Sequence, residues 1–501
     1  MTWGPALHDV SRTGSVLAHG LGGRTDLPPD PRLAAIGAAI AVGGSFLIMG
    51  ALWPSHRLGG QVRGRPLPGV TRVVDARIVV LSLRMLVLAA AILVVAVAFL
   101  GPRESRFNLA PYAVYVGFWV GLAITAVLVG PVWPRVNPLR TVHAGICRLS
   151  GLKPGEGLIP LTPKVGLWPA AGWLLVFVWL ELVYPQRAEP EVVGLFLASY
   201  GVLTILLALL FGSAWFAAGD GFEVYNRLFG SLAALGRRDD GMLVLRNPLN
   251  GLASLPHSPG LTGVVVVLIG STGFDGLTRT SWWQRSIPPD SVVLGTFGLL
   301  ALVAAVGALY TCAMYLGARS AGLPRGREAT GNGTAAPGVE PAYAVPGAGR
   351  HAQAPITSPP PRKGKSGTKL LSRTPPTQSA MPGLFAHSLI PIALGYTVAH
   401  YFSFFLFEGQ VLLALVSDPF GLGWNLFGTI DRGVNYLLIG TGTIARIQVY
   451  AIVIGHVCGV VAAHDRALVL LPPKVARRGQ YPLGVVMTGI TLGGVLLLLS
   501  A

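Results

Sequence analysis

Two acidic residues stand inside apolar runs of the sequence, where a charge is costly. Glu181 and Asp275 each follow, at the same offset of 15 residues, a Gly-Leu pair that opens such a run, at Gly166 and at Gly260. A helical rise of 1.5 Å per residue would put both carboxylates about 22 Å along their helices. Charged groups at membrane depth tend to face the bundle interior and to mark ion or proton pathways. The spacing therefore favours two carboxylates at one depth that share a proton or hold a cation. The alternative is that each acid lies unpaired in the wetted outer interface.

Two histidines could supply neutral partners for these acids. His400 lies about 24 Å along its own apolar run, close to the depth of the acids, and His456 lies near the middle of another run. Neutral imidazole ligates metal ions and titrates near neutral pH. We therefore expect His400 and His456 to meet across two helices and to form, with Glu181 and Asp275, a site for a proton or a divalent metal ion.

The stretch "GHVCGVVAAH" (455 to 464) is not a binding motif by itself. On a regular helix His456 and Cys458 differ by about 200°, and His456 and His464 by about 80° and about 12 Å of rise, so neither pair can share an ion. A stacked pair of haems would need similar histidine spacings on two helices. The spacing is 13 residues from His387 to His400 and 8 from His456 to His464. Haem is not expected, and His387 with His464 is a second possible pair across helices.

The elements that must position these residues are transmembrane helices. Of the 501 residues, 52% are hydrophobic and 12% charged, and the mean hydropathy is +0.60. Long continuous apolar runs indicate helices, because a lipid-facing backbone must satisfy its own hydrogen bonds. We predict an all-α, polytopic transmembrane bundle of about ten spans, centred within 32–53, 78–100, 111–133, 166–184, 192–212, 261–278, 291–316, 384–407, 444–463 and 482–500.

The distribution of basic residues predicts the orientation of this bundle. The net charge is +17, and the alternate loops 54–77, 134–165, 213–260, 317–383 and 464–481 carry 27 Lys and Arg, against 8 on the other side. By the positive-inside rule the first set is cytoplasmic and both termini lie outside. We thus expect a bacterial inner-membrane protein whose partner is the lipid bilayer, and no nucleic-acid binding.

Residues 318–383 differ in composition from the rest of the chain. They contain 11 prolines, including those of "SPPPRKGK", and little apolar periodicity. Such a segment cannot bury enough surface to fold alone, so a disordered, basic cytoplasmic linker is predicted. It would separate a seven-span part (32–317) from a three-span part (384–501), after an extracytoplasmic tail at 1–31.

Two segments indicate an internal duplication of spans 3 and 4 as spans 5 and 6. "VGPVWPRVNPLRTVHAGICRLSGL" (129–152) and "FGSAWFAAGDGFEVYNRLFGSLAAL" (211–235) share G-x-x-W at the end of a span, followed by a turn and an amphipathic segment. Each leads to one of the Gly-Leu openings described above. Parallel repeats are a known transporter architecture. In the second copy, "GSTGFDG" predicts a broken helix that lines a cavity.

Several segments together resemble a family of prokaryotic multi-pass membrane proteins named fenitrothion hydrolase. They are "LAHGLGGR" (17–24), "NPLRTVH" (137–143), "GDGFEVY" (219–225), "LRNPL" (245–249), "GSTGFDGL" (270–277), "VAHYFSF" (398–404), "DRGVNY" (431–436) and "AHDRAL" (463–468). The resemblance implies hydrolysis of an organophosphate P–O bond. The histidine-rich H-x-H pattern of soluble organophosphate hydrolases is missing, so Glu181, Asp275, His400 and His456 would have to hold the metal that activates water.

Three functions remain open from the sequence. The first is a transport-like protein whose carboxylate and histidine site handles a cation, a proton or a small solute. The second is a membrane-embedded, metal-dependent hydrolase of phosphotriester type. The third is a structural or assembly protein without a site. Whether the chain is an enzyme is left open, and no catalytic residue is assigned.

Overall fold

The structure is a computed structural model that describes residues 31–59, 64–325 and 376–500. The predicted tail, apart from Pro31, and residues 326–375 of the predicted linker lie outside the described residues. The described part contains ten helices long and apolar enough to cross a membrane, which confirms the all-α, multi-pass bundle. Spans 1 to 10 are Arg32–Leu52, Arg77–Leu100, Leu109–Val129, Pro163–Leu182, Pro190–Phe211, Leu261–Thr278, Val292–Ser320, Gln378–Ser417, Thr441–Leu470 and Pro473–Leu497.

Some helices extend beyond their apolar runs. The last helix begins at Pro473, whereas hydropathy predicted a start near residue 482. Its first turns are basic and polar, and Pro482 lies inside the helix. The long α-helix of span 8, Ile390–Ser417, likewise continues beyond the predicted end near residue 407. Hydropathy detects only the apolar part of a helix, whereas backbone hydrogen bonding continues the helix beyond that part.

Both described ends of the predicted linker pack against the bundle. The Gln378 side chain donates to the carbonyl of Leu323 (2.7 Å), and the Tyr310 hydroxyl donates to the carbonyl of Pro382 (2.7 Å). The two parts of the chain also contact each other, since span 1 packs on spans 9 and 10, span 6 on span 8, and span 7 on span 10. The seven-span and three-span segments therefore build one bundle.

Glycines bring spans 8 and 9 together at the centre of this bundle. A Cβ atom on Gly455 would lie 2.5 Å from the carbonyl oxygen of Pro391, and one on Gly459 would lie 2.7 Å from that of Ser388. From the other helix, a Cβ on Gly395 would lie 2.6 Å from the carbonyl oxygen of Ala451. Small residues let two transmembrane backbones approach closely in this way. The contact fixes the helix that carries His400.

The described parts of the loops that follow spans 1, 3, 5 and 9 meet on one face of the bundle, called here the connector face. A small antiparallel sheet forms there in the order β1-β3-β2, from Arg65–Pro66 (β1), Leu235–Arg237 (β2) and Leu243–Leu245 (β3). Asp465, at the end of span 9, accepts hydrogen bonds from the backbone N–H groups of Arg57 (2.6 Å) and Leu58 (3.1 Å).

Two amphipathic helices lie on this face: connector helix I, Pro138–Leu149, and connector helix II, Gly221–Gly230. Shorter helices complete the described chain at Pro68–Val74, Ser105–Phe107, Trp133–Val136, Ala214–Gly219, Pro248–Ala253, Ser281–Ser286, Met381–Phe385 and Ala386–Leu389.

Candidate functional site

Glu181 is buried in the bundle and bound by a tyrosine. Glu181 is 1% exposed, and its Oε1 accepts a 2.9 Å hydrogen bond from the hydroxyl of Tyr401. The acid comes from span 4 and the tyrosine from span 8. The carboxylate of Glu181 is therefore buried and has a partner inside the bundle, rather than being wetted and unpaired.

Asp275 is buried in a similar way, and its partner is the predicted histidine. Asp275 is 5% and His400 9% exposed, and Oδ2 of Asp275 contacts Nε2 of His400. The same oxygen accepts a 3.0 Å hydrogen bond from Arg279, which follows directly after span 6 and whose side chain is 27% exposed. Asp275 therefore lies between a buried imidazole and a guanidinium nearer the surface.

The two acids are joined through neighbouring residues of one helix. His400 and Tyr401 are consecutive on span 8, with ring centroids 4.7 Å apart, and each contacts one of the two carboxylates. Successive side chains of a helix point about 100° apart. Span 8 thus reaches Asp275 with one side chain and Glu181 with the next, which no helical periodicity in the sequence indicates.

The starts of spans 4 and 6 lie side by side, and this explains why the acids share a depth. The N–H of Leu167 donates to the carbonyl of Pro259 (2.7 Å), so the two Gly-Leu openings are in contact. Gly166 and Gly260 both have positive φ, at 50° and 81°, which favours glycine at these turns. Equal offsets from adjacent starting points then place the carboxylates level.

Aromatic rings surround Tyr401 on the side of Glu181. Trp119 meets Tyr401 edge to face (6.5 Å between centroids) and stacks on Tyr225 of connector helix II (4.4 Å). Trp119 belongs to a π-helical stretch, Ala113–Val120, within span 3. Such stretches are frequent at functional sites because they shift side chains out of the α-helical register. Hydropathy alone could not indicate it.

Span 6 is not broken, so the prediction made from "GSTGFDG" is wrong. Residues Leu261–Thr278 form one continuous helix. The hydroxyl of Ser271 donates to the carbonyl of Leu268 (3.2 Å), and that of Thr272 donates to the same carbonyl (2.8 Å). Bonding within the helix satisfies the hydroxyls, which therefore line no gap in the helix.

His456 lies in different surroundings from His400. Its Nδ1 donates to the carbonyl of Ile452 (2.9 Å), and its ring meets that of Tyr396 edge to face, 5.6 Å between centroids. The residue is fully buried and lines a small, largely apolar cavity with Tyr310 and Met487. The structure thus brings together three of the four predicted residues, namely Glu181, Asp275 and His400.

The second predicted histidine pair also has other partners. His464 contacts the Gln480 side chain (3.1 Å) through Nδ1 and the carbonyl of Trp53 (2.9 Å) through Nε2. These contacts attach the end of span 9 to the loop after span 1. In the part of the chain that the structure describes, no group of three or more His, Cys, Asp or Glu side chains is arranged to hold a metal ion.

A second buried polar network, which the sequence reasoning missed, links the two connector helices. Asp220 caps connector helix II and also accepts hydrogen bonds from Asn137 (2.8 Å) and the Tyr200 hydroxyl (2.5 Å). Arg140 makes two hydrogen bonds to Glu223, of 2.6 and 2.7 Å. Burial and the nearby Glu223 carboxylate raise the pKa of Asp220 to about 6.

A signal for this network was present in the sequence. "NPLR" and "GDGFE" each place a capping residue three positions before a charged one. In the structure the two capping residues, Asn137 and Asp220, contact each other, and so do the two charged residues, Arg140 and Glu223. Helix caps are recognisable from sequence. That two such caps face each other follows only from the fold.

The ten apolar helices define the class of the protein, a multi-pass α-helical membrane protein, and its bundle buries a cluster of two acids, a histidine and a tyrosine. Comparison of the chain with models of protein families, with curated proteins and with solved structures finds no match.

Proposed function

We propose that this protein binds and exchanges protons at Glu181 and Asp275, as part of a transport-like function in a bacterial inner membrane. The observation that carries the proposal is that consecutive residues of one helix, His400 and Tyr401, contact the two buried acids. Imidazole and phenol groups both donate and accept protons. Buried acids with such partners are typical of proton relays in transporters.

The burial of Glu181 supports proton exchange in particular. Arg279 faces Asp275 with a permanent positive charge that favours the ionised carboxylate, and Tyr401 gives Glu181 a hydrogen-bond donor that can serve either protonation state. Burying a charge in a low-dielectric bundle costs several kcal/mol of desolvation free energy. The attraction of a close opposite charge is of about the same size, so it roughly offsets that cost. Proton uptake is the simplest way for a buried carboxylate to lose its charge.

The orientation and the duplication belong to the same proposal. By the positive-inside rule the connector face is cytoplasmic and both termini lie outside. The shared sequence pattern of G-x-x-W, then Gly-Leu, then an acid 15 residues further on supports a parallel repeat of spans 3–4 and 5–6. The corresponding residues are Gly130 with Gly212, Gly166 with Gly260, and Glu181 with Asp275.

The experiment is to follow protonation of the acids in the reconstituted protein. Infrared difference spectra between acidic and alkaline pH report the C=O band of a protonated carboxyl group, and a pH-sensitive dye inside the vesicles reports proton flux. We expect Glu181→Gln and Asp275→Asn to remove part of the carboxyl band and to lower the flux. Glu156→Gln is the matched control, because Glu156 is exposed on the connector face. Unchanged spectra and flux in both site variants would refute the proposal.

The same preparation tests the hydrolase prediction. Asp275 and His400 already form a carboxylate–imidazole pair, an arrangement common among metal ligands and their supporting groups. A metal-dependent hydrolase would bind a stoichiometric divalent ion that is lost in Asp275→Asn, and would cleave a phosphotriester. Metal content and hydrolysis measured on the wild type and this variant distinguish hydrolysis from proton exchange.

A further inference from the structure

A groove opens between spans 1 and 10 where both helices reach the connector face. It has a volume of about 190 Å³. The lining residues are Phe46, Leu47, Gly50 and Ala51 of span 1, His464 of span 9, and Arg477, Gln480 and Tyr481 of span 10. The proton site involves none of them.

The groove has an apolar side and a cationic rim. Phe46 and Leu47 supply the apolar side, which continues along span 1. The methylene groups of Arg477 pack on Gly50, since a Cβ on that glycine would lie 3.8 Å from Cδ of Arg477. Arg477 is exposed, and its guanidinium makes no hydrogen bond or ion pair with the residues that the structure describes. The charge is available to a ligand.

The floor of the groove is fixed, and its surroundings are basic. His464 is held by Gln480 (3.1 Å) and by the carbonyl of Trp53 (2.9 Å). Among the described lining residues there is no Asp or Glu. Asp465, which follows His464 in the chain, is already bound to two backbone N–H groups of the loop after span 1.

We propose that this groove binds the phosphate headgroup of an anionic phospholipid, with Arg477 on the phosphate and an acyl chain along Phe46 and Leu47. Arginine pairs with phosphate oxygens in a bidentate geometry. Basic pockets between transmembrane helices on the cytoplasmic side are recognised sites for lipid headgroups. A lipid uses both the rim and the apolar side, whereas free phosphate uses only the rim, so the lining favours the lipid.

The test measures lipid binding to the delipidated full-length protein in neutral detergent by native mass spectrometry, with phosphatidylglycerol, phosphatidylcholine and inorganic phosphate as probes. We expect phosphatidylglycerol to bind at one site. Arg477→Gln should lower the affinity for phosphatidylglycerol about tenfold, the loss expected for one charge-assisted contact. Arg478→Gln is the matched control, because it removes the same charge from a side chain that does not line the groove.

A second variant tests the apolar side without changing the charge. Gly50→Leu fills the groove next to the methylene groups of Arg477 and should also weaken the binding of phosphatidylglycerol. Equal losses in Arg477→Gln and Arg478→Gln would mean diffuse attraction and would overturn the proposal. So would equal binding of phosphatidylcholine, or full displacement of the lipid by inorganic phosphate. Proton flux does not enter this measurement, so the result is independent of the function proposed above.

Discussion

The hydroxyl of Tyr401 donates a 2.9 Å hydrogen bond to Glu181, a residue 220 positions earlier in the chain. The bond joins spans 4 and 8 inside an apolar bundle, where little else can satisfy a carboxylate. His400, the residue before Tyr401, contacts Asp275 and so joins span 8 to span 6 in the same way. Three spans are thus tied by two polar contacts at one level.

Removing the hydroxyl of Tyr401 should show how much its hydrogen bond to Glu181 contributes to stability. Tyr401→Phe keeps the ring but leaves Oε1 of Glu181 without that donor, so we expect a loss of about 1–3 kcal/mol in stability. Thermal unfolding in detergent of Tyr401→Phe, Glu181→Gln and the double variant gives the coupling between the two side chains. A contact predicts at least about 0.5 kcal/mol of coupling. Strictly additive losses would contradict it.

The two central histidines should differ in their effect on proton exchange. His400→Gln removes the imidazole that contacts Asp275, and we expect proton flux into vesicles to fall by about a hundredfold, the scale of a lost proton-transfer group. His456→Gln should leave the flux near that of the wild type, because His456 bonds its own helix. Equal losses in the two variants would place His456 in the pathway as well.

The sequence predicted much of this architecture and part of the site. Apolar length defined the ten spans, and the shared offset of Glu181 and Asp275 indicated a common depth, since each is set by local geometry along one helix. The partner of His400 could not be predicted in this way. It depends on which faces of spans 6 and 8 meet, and the glycines of spans 8 and 9 fix the position of span 8 by packing that appears only in three dimensions.

The pair of Arg140 and Glu223 should depend on the shape of the guanidinium. Arg140 makes two hydrogen bonds to Glu223, which is 1% exposed, and Lys cannot reproduce both. We expect Arg140→Lys to cost about 2 kcal/mol, less than the loss from breaking a fully buried pair. Arg148→Lys, on the exposed side of the same helix, should change stability by less than about 0.5 kcal/mol. Similar effects of both substitutions would mean that the pair adds nothing specific.

Asp220 should make stability depend on pH in a defined window. Its pKa is about 6 in the folded protein against an ordinary value of 3.8. Between these values the folded protein keeps a proton that the unfolded chain has released, so stability falls as pH rises from about 4 to 6 and then levels off. The decline should be about 1–3 kcal/mol. Asp220→Asn cannot titrate, so unfolding curves from pH 4 to 8 should lose this component; an unchanged pH profile would show that Asp220 is ionised throughout.

Packing of spans 8 and 9 predicts opposite effects for two glycine substitutions. Gly455→Ala places a Cβ 2.5 Å from the carbonyl oxygen of Pro391, so the helices must separate. We expect a loss of about 1–3 kcal/mol, as for overpacking elsewhere. Gly409→Ala, within span 8, meets no atom within 4 Å and should be neutral or stabilise the helix by up to about 1 kcal/mol. Because span 8 carries His400 and Tyr401, Gly455→Ala should also lower proton flux, although residue 455 touches neither acid. A destabilised variant with normal flux would mean that the site tolerates movement of span 8 and that the two contacts of His400 and Tyr401 do not need a fixed geometry.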